Sequence, residues 1–497
     1  MSSWTRPTAW TRSTAASAAS LAALAAAAVV LSGCVAGPRF VAPKGPQTAR
    51  YTRAPLAALN GGAGGVTLDT ALPLPAQWWS VLRAPMLDST IQAALSGNRG
   101  LAAARSRLAQ AQELIGVAQA SLYPHVDLDG SAGRVKYGAA FLGPTKLPPF
   151  SFYSIGPSVS YAFDYTGKAR RSVERQRALA RSQDEQLQAA ALALSGNVAM
   201  QALMAASARS QINTLQAVLN DDRRNLQLVQ DAFAAGSGTR VDILNAQSQL
   251  STDQTLMPPL RRQLSLATDA LALLVGMPPG EWSVPDFQLD QFHLPSRLPL
   301  VLPSELAHRR PDIEAAEARL HAATAAVGVA SANLYPQISL SANASFESTA
   351  LRALFNAGGI GAGLTAGLTA PLFDHGALRA RQRAAVDEMH AALADYQQAV
   401  LSAFRQVADA LQGLDHDQEL LTSEHSALTT SAQNLDLTRQ SYTAGESGVL
   451  QVLDAQRQNQ QARLGLVRAR AQRLQDAVQL LLALGGRLPP AAAAAAL

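Results

Sequence analysis

The sequence predicts a mainly α-helical protein that also carries a small set of membrane-type β-strands. Three observations lead to this fold class. Two very long segments have helical periodicity and no proline, four shorter segments alternate between apolar and small polar residues, and these features recur in the same order in both halves of the chain. The 497 residues are 48% hydrophobic and 15% charged, which is typical of a folded protein.

The clearest strand signal begins after Pro336. Proline disfavours a helical conformation for the residue before it and has no amide donor, so the preceding helical pattern stops there. The apolar positions that then alternate with polar ones are Ile338, Leu340, Ala342, Ala344 and Phe346. A second run alternates from Ile360 to Leu372. The two runs predict a hairpin with one apolar side and one small polar side.

A hairpin of the same design follows Pro124. Its apolar positions are Val126, Leu128, Gly130 and Ala132 in one strand and Tyr153, Ile155, Val159, Tyr161 and Phe163 in the other. Each run is about ten residues long, the length of a tilted membrane-spanning strand. That length permits a bilayer location without requiring one.

The amino terminus has the pattern of an export signal. Arg6 and Arg12 precede an apolar and small-residue stretch that ends in Leu31-Ser32-Gly33-Cys34, and a buried alanine-rich helix is the alternative. The last four residues resemble the bacterial lipoprotein cleavage box, which implies a signal peptide at 1–33 and a lipid on Cys34. Cys34 is the only cysteine, so an intrachain disulfide is excluded. In the lipoprotein pattern, Val35 in place of an aspartate implies the outer membrane.

The order of the patterns divides the rest of the chain into segments. We expect a lipid-tethered extended segment at 34–76, first-repeat helices at 77–123, the first hairpin at 124–165, and a first long helix, tip turn and returning helix at 166–277. We then expect a linker at 278–303, the second-repeat helix at 304–335, the second hairpin at 336–374, a second long helix, tip turn and returning helix at 375–485, and a disordered tail at 486–497.

The two halves form an internal repeat. At an offset of 212, Leu122-Tyr123-Pro124 falls on Leu334-Tyr335-Pro336. At a slightly smaller offset, Phe163-Asp164 falls on Phe373-Asp374. Each half therefore consists of a helix, a hairpin, a long helix, a turn and a returning helix.

The long helices require neighbours to pack against. The segments from Gly167 to Ala235 and from Gly376 to Ala444 contain no proline and one internal glycine each. At 1.5 Å per residue each is on the order of 100 Å long, far beyond the usual globular helix. The second has apolar residues at the spacing of a coiled-coil seam, namely Met389, Leu393, Tyr396, Val400, Val407, Leu411 and Leu414.

The sequence does not support several functional classes. The net charge of +5 falls to +3 without residues 1–33, which contain two arginines and no acid, so a nucleic-acid surface is not expected. No glycine-rich phosphate loop, Cys-x-x-Cys or His-Glu-x-x-His pattern occurs. We therefore expect no catalytic residue, no cofactor and no metal, and we do not expect an enzyme. After the amino-terminal region, no apolar run reaches the roughly eighteen residues of a transmembrane helix.

Two acidic groups have alternative interpretations. Asp415-His416-Asp417 could bind a metal, but consecutive residues of a helix point apart, which favours a solvated face. Asp127 and Asp129 share one strand face and could form a catalytic pair, although lining a lumen is the favoured interpretation.

Four strands cannot close a barrel. The smallest bacterial outer-membrane barrels have about eight strands, and an open sheet in lipid leaves edge amides and carbonyls unpaired at several kcal/mol each. If the strands lie in a membrane, the chain must therefore oligomerise. Two copies would give about eight strands with a filled interior, and three about twelve with a water channel. The residues alone do not fix the copy number.

Several motifs occur together between Cys34 and Gly486. They are the lipoprotein box, Gln77-Trp78-Trp79, the paired Leu-Tyr-Pro and Phe-Asp motifs, and Tyr442-Thr443-Ala444-Gly445 followed by Val452-Leu453-Asp454-Ala455-Gln456-Arg457. Jointly they resemble the TolC-type outer-membrane efflux factors, and more narrowly their lipoprotein branch, the NodT family. The resemblance implies a homotrimer with an α-helical barrel of long coiled helices in the periplasm. It also implies a shared twelve-stranded β-barrel in the outer membrane, with four strands per chain.

The resemblance also implies a site. Asp454 and Leu450 fall where the family narrows its periplasmic entrance, with Tyr442 nearby, and three Asp454 carboxylates would form an acidic ring. The alternative is that Asp454 caps or salt-bridges the returning helix. Thr443 stands where an arginine often pairs with the gate carboxylate, so another partner such as Arg457 would be needed.

The two predicted tip turns carry a second implied site. The turns with Gly236, Gly238, Gly445 and Gly448 resemble the tips that meet a periplasmic adaptor, and this is compatible with their being helix C-caps. The further implied partner is an inner-membrane pump, usually of the resistance-nodulation-division type.

The functional hypothesis is a passive exit duct for drugs or other small molecules. It would be lipid-anchored to the outer membrane and span it, with most of its mass in the periplasm. The alternatives are a type I protein-secretion duct and, from a different class, a structural coiled-coil lipoprotein whose strands form a periplasmic sheet.

Overall fold

The computed structural model describes residues 35–45, 48, 50–53, 66–137 and 148–486. The expected signal peptide at 1–33, the expected lipidation site Cys34 and all but the first residue of the expected tail at 486–497 lie outside the described residues.

The helices and strands alternate along the chain in two rounds. The helices are α1 (Pro85–Gly97), α2 (Arg99–Ala120), α3 (Lys168–Ala234), α4 (Arg240–Gln254), α5 (Met257–Val275), α6 (Pro303–Leu306), α7 (Pro311–Ala332), α8 (Ala377–Thr443) and α9 (Val449–Ala483). The strands are β1 (Thr67–Asp69), β2 (His125–Val135), β3 (Phe150–Phe163), β4 (Arg297–Pro299), β5 (Gln337–Ser348) and β6 (Ile360–Thr369). Short 3-10 helices lie at Trp78–Leu82, Leu289–Gln291, Leu351–Ala353 and Ala357–Gly359.

The chain divides into two compact units. The sheet unit comprises the described residues of Met1–Ala42, Ala109–Arg181 and Glu317–Ala394. The helical unit comprises those of Pro43–Leu108, Ser182–Ala316 and Asp395–Leu497. Both units therefore draw on both sequence repeats.

The sheet unit contains one antiparallel sheet in the order β2-β3-β5-β6. The two hairpins are joined because β3 pairs with β5. The register aligns apolar positions across all four strands, with Val126 opposite Val159, Val159 opposite Ala342 and Ala342 opposite Leu364. One face of the sheet is therefore a continuous apolar surface. Much of it is exposed, with Leu128 at 72% and Leu364 at 75%.

Both edges of this sheet are open. Within the described residues, β2 and β6 each pair on one side only. Strand β6 ends at Thr369, earlier than the alternation to Leu372 predicts, because Pro371 has no amide to donate to a ladder. In the interior, a Cβ on Gly156 would lie 2.0 Å from the carbonyl oxygen of Ala344, so the close approach of β3 and β5 requires glycine there.

Each hairpin passes into a long helix through its Phe-Asp motif. Asp164 accepts two backbone N–H bonds from the following residues, at 3.1 and 3.0 Å, and Asp374 accepts two at 2.9 and 2.7 Å. The bond from the Leu378 amide is the main cause that lowers the pKa of Asp374. Gly167 and Gly376 follow with φ of +77° and +82°. The repeated motif is therefore a helix N-cap, which gives it a structural role.

The described start of the expected tether is held by specific contacts within the sheet unit. The buried Arg171 guanidinium donates to the Pro38 carbonyl at 2.9 Å and pairs with Glu174 at 2.7 Å. Glu174 also bonds His321 at 2.9 Å, and the His321 ring stacks on Phe40 at 4.3 Å. Partial burial acts to raise the pKa of Glu174, but its bonds with His321 and Arg171 lower it overall.

The core of the helical unit is built around the two tryptophans of the Gln-Trp-Trp motif. Trp78 and Trp79 are 0% and 1% exposed and pack edge to face. Trp78 Nε1 donates to Ser195 Oγ at 2.9 Å, and Trp79 Nε1 donates to Asp88 at 2.7 Å. Both indole donors are therefore satisfied in an apolar cluster, as buried tryptophans require.

Helix α8 buries most of the predicted seam, whereas Met389 and Leu393 are only partly buried, and α9 crosses both long helices closely. A second cluster of the helical unit buries Tyr396, Val400, Val407, Leu411 and Leu414 of α8. The internal glycines mark the crossings. A Cβ on Gly196 would lie 2.5 Å from Leu482, and one on Gly413 would lie 2.8 Å from Asp476. Glycine thus permits α9 to approach both long helices of the helical unit.

Two features differ from the sequence expectation. The first returning segment is not one helix to about Gly276, because α4 ends at Gln254 and α5 begins at Met257. Pro258 and Pro259 lack amide donors and are tolerated only in the first turn of a helix. In addition, β1 of the expected tether pairs in parallel with β4 of the expected linker.

One helix contains an apolar window. An 18-residue part of α3 has a mean hydropathy of 1.4, long and apolar enough to cross a membrane by length and composition. More than half of that window is buried inside the protein. The core of the helical unit explains its composition, since Val198, Ala202 and Leu203 contact the tryptophan cluster.

We expect Trp78→Ala to lower the free energy of unfolding by about 3–5 kcal/mol, because it removes a fully buried indole and leaves a cavity. Trp78→Phe should retain much of the apolar contact but leave Ser195 Oγ without its donor. Chemical denaturation of the purified protein, monitored by circular dichroism, measures both. Equal unfolding midpoints for wild type and Trp78→Ala would contradict this assignment of the core.

Candidate functional site

The two tip turns of the helical unit have the same backbone geometry. At the first tip, Gly236 has φ of +79°, its amide donates to the Phe233 carbonyl and the next amide donates to the Ala232 carbonyl. At the second tip, Gly445 has φ of +80° and repeats the pattern with the carbonyls of Tyr442 and residue 441. Both are Schellman caps, so these two glycines are C-caps that end the long helices.

The tips differ in how the next helix begins. Thr239 and Asp242 form a reciprocal capping box at the start of α4. Gly448 precedes α9 without a side-chain cap, at φ of −88°. A Cβ on Gly236 or Gly445 would meet no atom within 4 Å, so both turns face open space in the single chain. The helix that follows the second tip therefore lacks the side-chain cap that stabilises the start of α4 at the first tip.

A small apolar cluster joins the helices behind the tips. It consists of Val229, Ala246, Val449 and Leu453, with Leu226, Ile243 and Tyr442 packed against it. The structure therefore places Tyr442 against the neighbouring helices. Val449 and Leu453 of this cluster are the direct neighbours in sequence of the other two expected gate residues, Leu450 and Asp454.

The start of α9 presents those two residues on one exposed face. Leu450 is 57% exposed, and Asp454 follows one helical turn later. Arg457 donates to the Asp454 carboxylate at 2.5 Å, and Gln458 donates to its other oxygen at 2.8 Å. Asp454 thus has an arginine partner on its own helix, which is compatible with either interpretation offered by the sequence.

Sequence reasoning missed a buried carboxyl cluster on the opposite face of α9. Asp222 of α3 and Asp253 of α4 are 3% and 4% exposed. The Gln456 amide donates to Asp222 at 2.7 Å, and the Gln460 amide donates to Asp253 at 2.9 Å. Asn225 also donates to Gln456. Gln456 was visible in the motif from Val452 to Arg457, but its partners come from distant parts of the chain.

The environment of Asp222 favours its protonated form. Burial is the largest cause that raises the pKa of Asp222 to about 7, followed by the charge of Asp253 and the hydrogen bond between the two carboxyl groups. Asp221 adds to the rise, and Arg223 opposes it. Asp222 therefore keeps its proton over a wide range of pH below neutrality.

A second carboxyl pair corrects the interpretation of Asp415-His416-Asp417. His416 is exposed, but Asp417 is 6% exposed and hydrogen-bonds the Asp476 carboxyl of α9. Burial, followed by that hydrogen bond and the charge of Asp476, raises the pKa of Asp417 to about 7, while Arg473 opposes the rise. The solvated-face interpretation is therefore wrong for Asp417. Among the described residues, no group of three or more His, Cys, Asp or Glu side chains could hold a metal ion.

The chain matches a known family model in both halves. The model of the outer membrane efflux protein family matches residues 90–277 and 302–486. The two matches coincide with the two sequence repeats, and together they cover most of the chain.

Relatives of the whole chain include proteins of Gram-negative bacteria. The chain is 33% identical over 415 residues to the pyoverdine export outer membrane protein OpmQ of Pseudomonas aeruginosa, which covers 82% of this chain and 87% of that protein. It is 26% identical over 461 residues to nodulation protein T of Rhizobium leguminosarum, which covers 89% of this chain and 92% of that protein.

Solved structures share the fold. The outer-membrane channel OprN superposes with a TM-score of 0.84 at 28% identity, covering 92% of this chain and all of that one. The fold of this chain therefore has a counterpart in a known outer-membrane channel.

We expect Gly445→Ala to destabilise the second tip by about 1–2 kcal/mol, because a side chain at positive φ is strained even where space is open. Such a loss corresponds to amide exchange roughly 5–30 times faster in the last turn of α8. Gly448→Ala is the matched control, since its φ is negative and its Cβ meets only the end of the Gln451 side chain. Hydrogen exchange read by mass spectrometry distinguishes the two, and equal exchange in both variants would disprove the strain argument.

Proposed function

This chain belongs to the outer membrane efflux protein family, and from that premise we propose that three copies assemble into one exit duct across the outer membrane. Small molecules would leave the cell through the duct. The chain is an efflux protein of the outer membrane, and its family consists of transport channels. We propose in addition that the duct is a homotrimer, that it has the partners described below, and that it has a gate.

The observation that carries the proposal is the four-stranded sheet with one exposed apolar face and two open edges. In water, such a face exposes large side chains, and in lipid, each unpaired edge group costs several kcal/mol. Placing the apolar face in the bilayer and closing the edges against identical chains resolves both costs. A sheet that lies in the bilayer and is completed by identical chains thus accounts for both the exposed apolar face and the open edges.

The polar face of the sheet supports three copies over two. Its residues are small, as in the pairs Ser341 opposite Thr365 and Ser339 opposite Gly367. Eight strands enclose an interior just wide enough to be filled by side chains, whereas about twelve leave room for water and solutes. Twelve strands from three chains therefore suit a duct, and Asp127 and Asp129 on this face would line its lumen.

The tips of the helical unit support the proposal that the chain has a periplasmic adaptor and an inner-membrane pump as partners. The relative OpmQ is named for pyoverdine export, and by analogy we propose that this chain receives small molecules from a periplasmic adaptor and an inner-membrane pump. The tip glycines Gly236, Gly238, Gly445 and Gly448 would lie at the adaptor contact. Export of small molecules by the named relative favours this function over a type I protein-secretion duct. The long exposed apolar face disfavours a structural lipoprotein whose strands form a periplasmic sheet.

We place the narrowest point at Leu450 and Asp454. In a trimer, these residues would form an apolar ring and an acidic ring on the exposed face of α9, while Tyr442 packs behind them. The Asp454–Arg457 pair would neutralise part of the acidic ring. We also propose that Cys34 carries the lipid that anchors the chain, which metabolic labelling with radioactive palmitate would test against Cys34→Ser.

We expect Leu364→Arg to block trimer formation in the outer membrane. An arginine on the lipid face costs about 2–4 kcal/mol near the bilayer midplane. Thr365→Arg is the matched control, because the adjacent residue faces the polar side of the same strand. Heat-modifiable migration in gels and the mass of the detergent-solubilised particle report assembly. Loss of trimers in the control alone, or in neither variant, would contradict the assigned lipid face.

We expect Asp454→Asn to reduce the preference of the duct for cations and Arg457→Gln to increase it, since the two changes remove opposite charges from one ring. An exposed i,i+3 pair contributes at most about 0.5 kcal/mol, so the fold should be retained. Reversal potentials in planar bilayers under a salt gradient measure the preference. If the reversal potential shifts in the same direction for both variants, or in neither, Asp454 does not lie at the narrowest point.

A further inference from the structure

Helix α9 carries Asp454 on its exposed face, and its opposite face is hydrogen-bonded to the buried carboxyl cluster. Asp222 and Asp253 come from the first repeat, on α3 and α4, whereas Gln456 and Gln460 come from α9. Three helices therefore meet at two carboxyl groups. The second-repeat helix contributes only neutral amide donors to them.

The burial of both carboxyl groups favours a proton on Asp222. A hydrogen bond between two carboxyl groups forms only when one of them is protonated, because a carboxylate has no hydrogen to donate. Asp222 Oδ2 is buried and receives no amide or hydroxyl donor from the described residues. The Gln460 Oε1 atom beside Asp253 is also buried without a partner among them. A second ionised carboxylate would leave this apolar pocket with two like charges in contact.

The surrounding charges do not supply a counterion in place of the proton. On α3, Asp221 raises and Arg223 lowers the pKa of Asp222, so their effects oppose each other. On α4, the Gln249 amide donates to Asp253 at 2.8 Å. On α9, the charged neighbours Asp454 and Arg457 bind each other on the exposed face. From α8, the neutral Ser431 accepts a hydrogen bond from Asn459 of α9 at 3.3 Å.

We propose that Asp222 and Asp253 form a proton-binding clamp that holds α9 against α3 and α4 and thereby regulates the narrow entrance at Leu450 and Asp454. The regulatory part rests on the proposed gate, whereas the proton-binding part stands on the buried cluster alone. With the proton in place, both glutamine amides find acceptors and α9 is fixed. Without it, repulsion within the pair opposes the same packing and α9 is released.

The sign of the pH dependence follows from the two states. An unfolded aspartate loses its proton near pH 4, whereas Asp222 in the folded protein keeps its proton until about pH 7. Between these values the native state binds more protons than the unfolded state, so stability falls as the pH rises. Above neutrality the loss is complete. The clamp therefore closes in acid and loosens in mild alkali.

Asp222→Asn tests the proton directly. Asparagine keeps an oxygen for the Gln456 amide and carries an amide that donates permanently to Asp253, so it mimics the protonated state. We expect its gain in thermal unfolding midpoint over wild type to be larger at pH 8 than at pH 5. Asp231→Asn on the same helix is the matched control, because Asp231 is exposed and accepts one amide bond from Gln227. If Asp222→Asn fails to fold, Asp253→Asn provides the same comparison.

Conductance tests the regulation. In planar bilayers we expect the open fraction of the wild-type trimer to rise at least severalfold from pH 5 to pH 8, and that of Asp222→Asn to stay low. In one outcome, the stability result holds while conductance is independent of pH and Asp454→Asn leaves the ion preference unchanged. That combination would contradict the proposed gate and still support proton binding at Asp222. A gain for Asp222→Asn that is equal at both pH values would overturn the clamp. So would stabilisation of wild type by millimolar Ca²⁺ at pH 8 that Asp222→Asn abolishes, since the pair would then be a cation site.

Discussion

A polypeptide backbone in hydrocarbon has no solvent with which to form hydrogen bonds, and this constraint governs the whole molecule. A four-stranded sheet cannot pair its own edge strands, and the proposed duct therefore uses identical chains to complete it. The same requirement explains why the register brings apolar residues together on one face over all four strands. The long helices then follow as the part that needs no membrane and can pack in water, with Trp78 and Trp79 fixing their core.

The two repeats share the capping features that begin and end the long helices, but they differ in their buried side chains. Asp164 and Asp374 cap the long helices alike, and Gly236 and Gly445 end them alike. The offset of 209 that places Gly236 on Gly445 also places Asp222 on Ser431 and the exposed Gln247 on the buried Gln456. Local backbone geometry is therefore the same in both copies, whereas the residues that form the buried carboxyl cluster differ between them.

The sequence could predict those features that depend on neighbouring residues. Alternation after Pro124 and Pro336 predicted the strands, and helical spacing predicted the seam at Val400 and Leu411. It could not predict contacts between distant segments. The pairing of β1 with β4 and the meeting of Asp222 with Gln456 each join residues more than 200 positions apart. Pro258 and Pro259 were visible, but their effect depends on whether a new helix begins beside them, which periodicity does not decide.

The glycines at which α9 crosses the long helices make the two halves of the chain unequal. Gly196 accommodates Leu482, but its counterpart at the offset of 209 is Arg405, and the counterpart of Gly413 is Met204. Two copies of the second half would bring an arginine to the Leu482 crossing, where even a methyl group has no room. The two halves are therefore not interchangeable, because α9 of the second half packs against Gly196 of the first half, and the second half has Arg405 at the corresponding position.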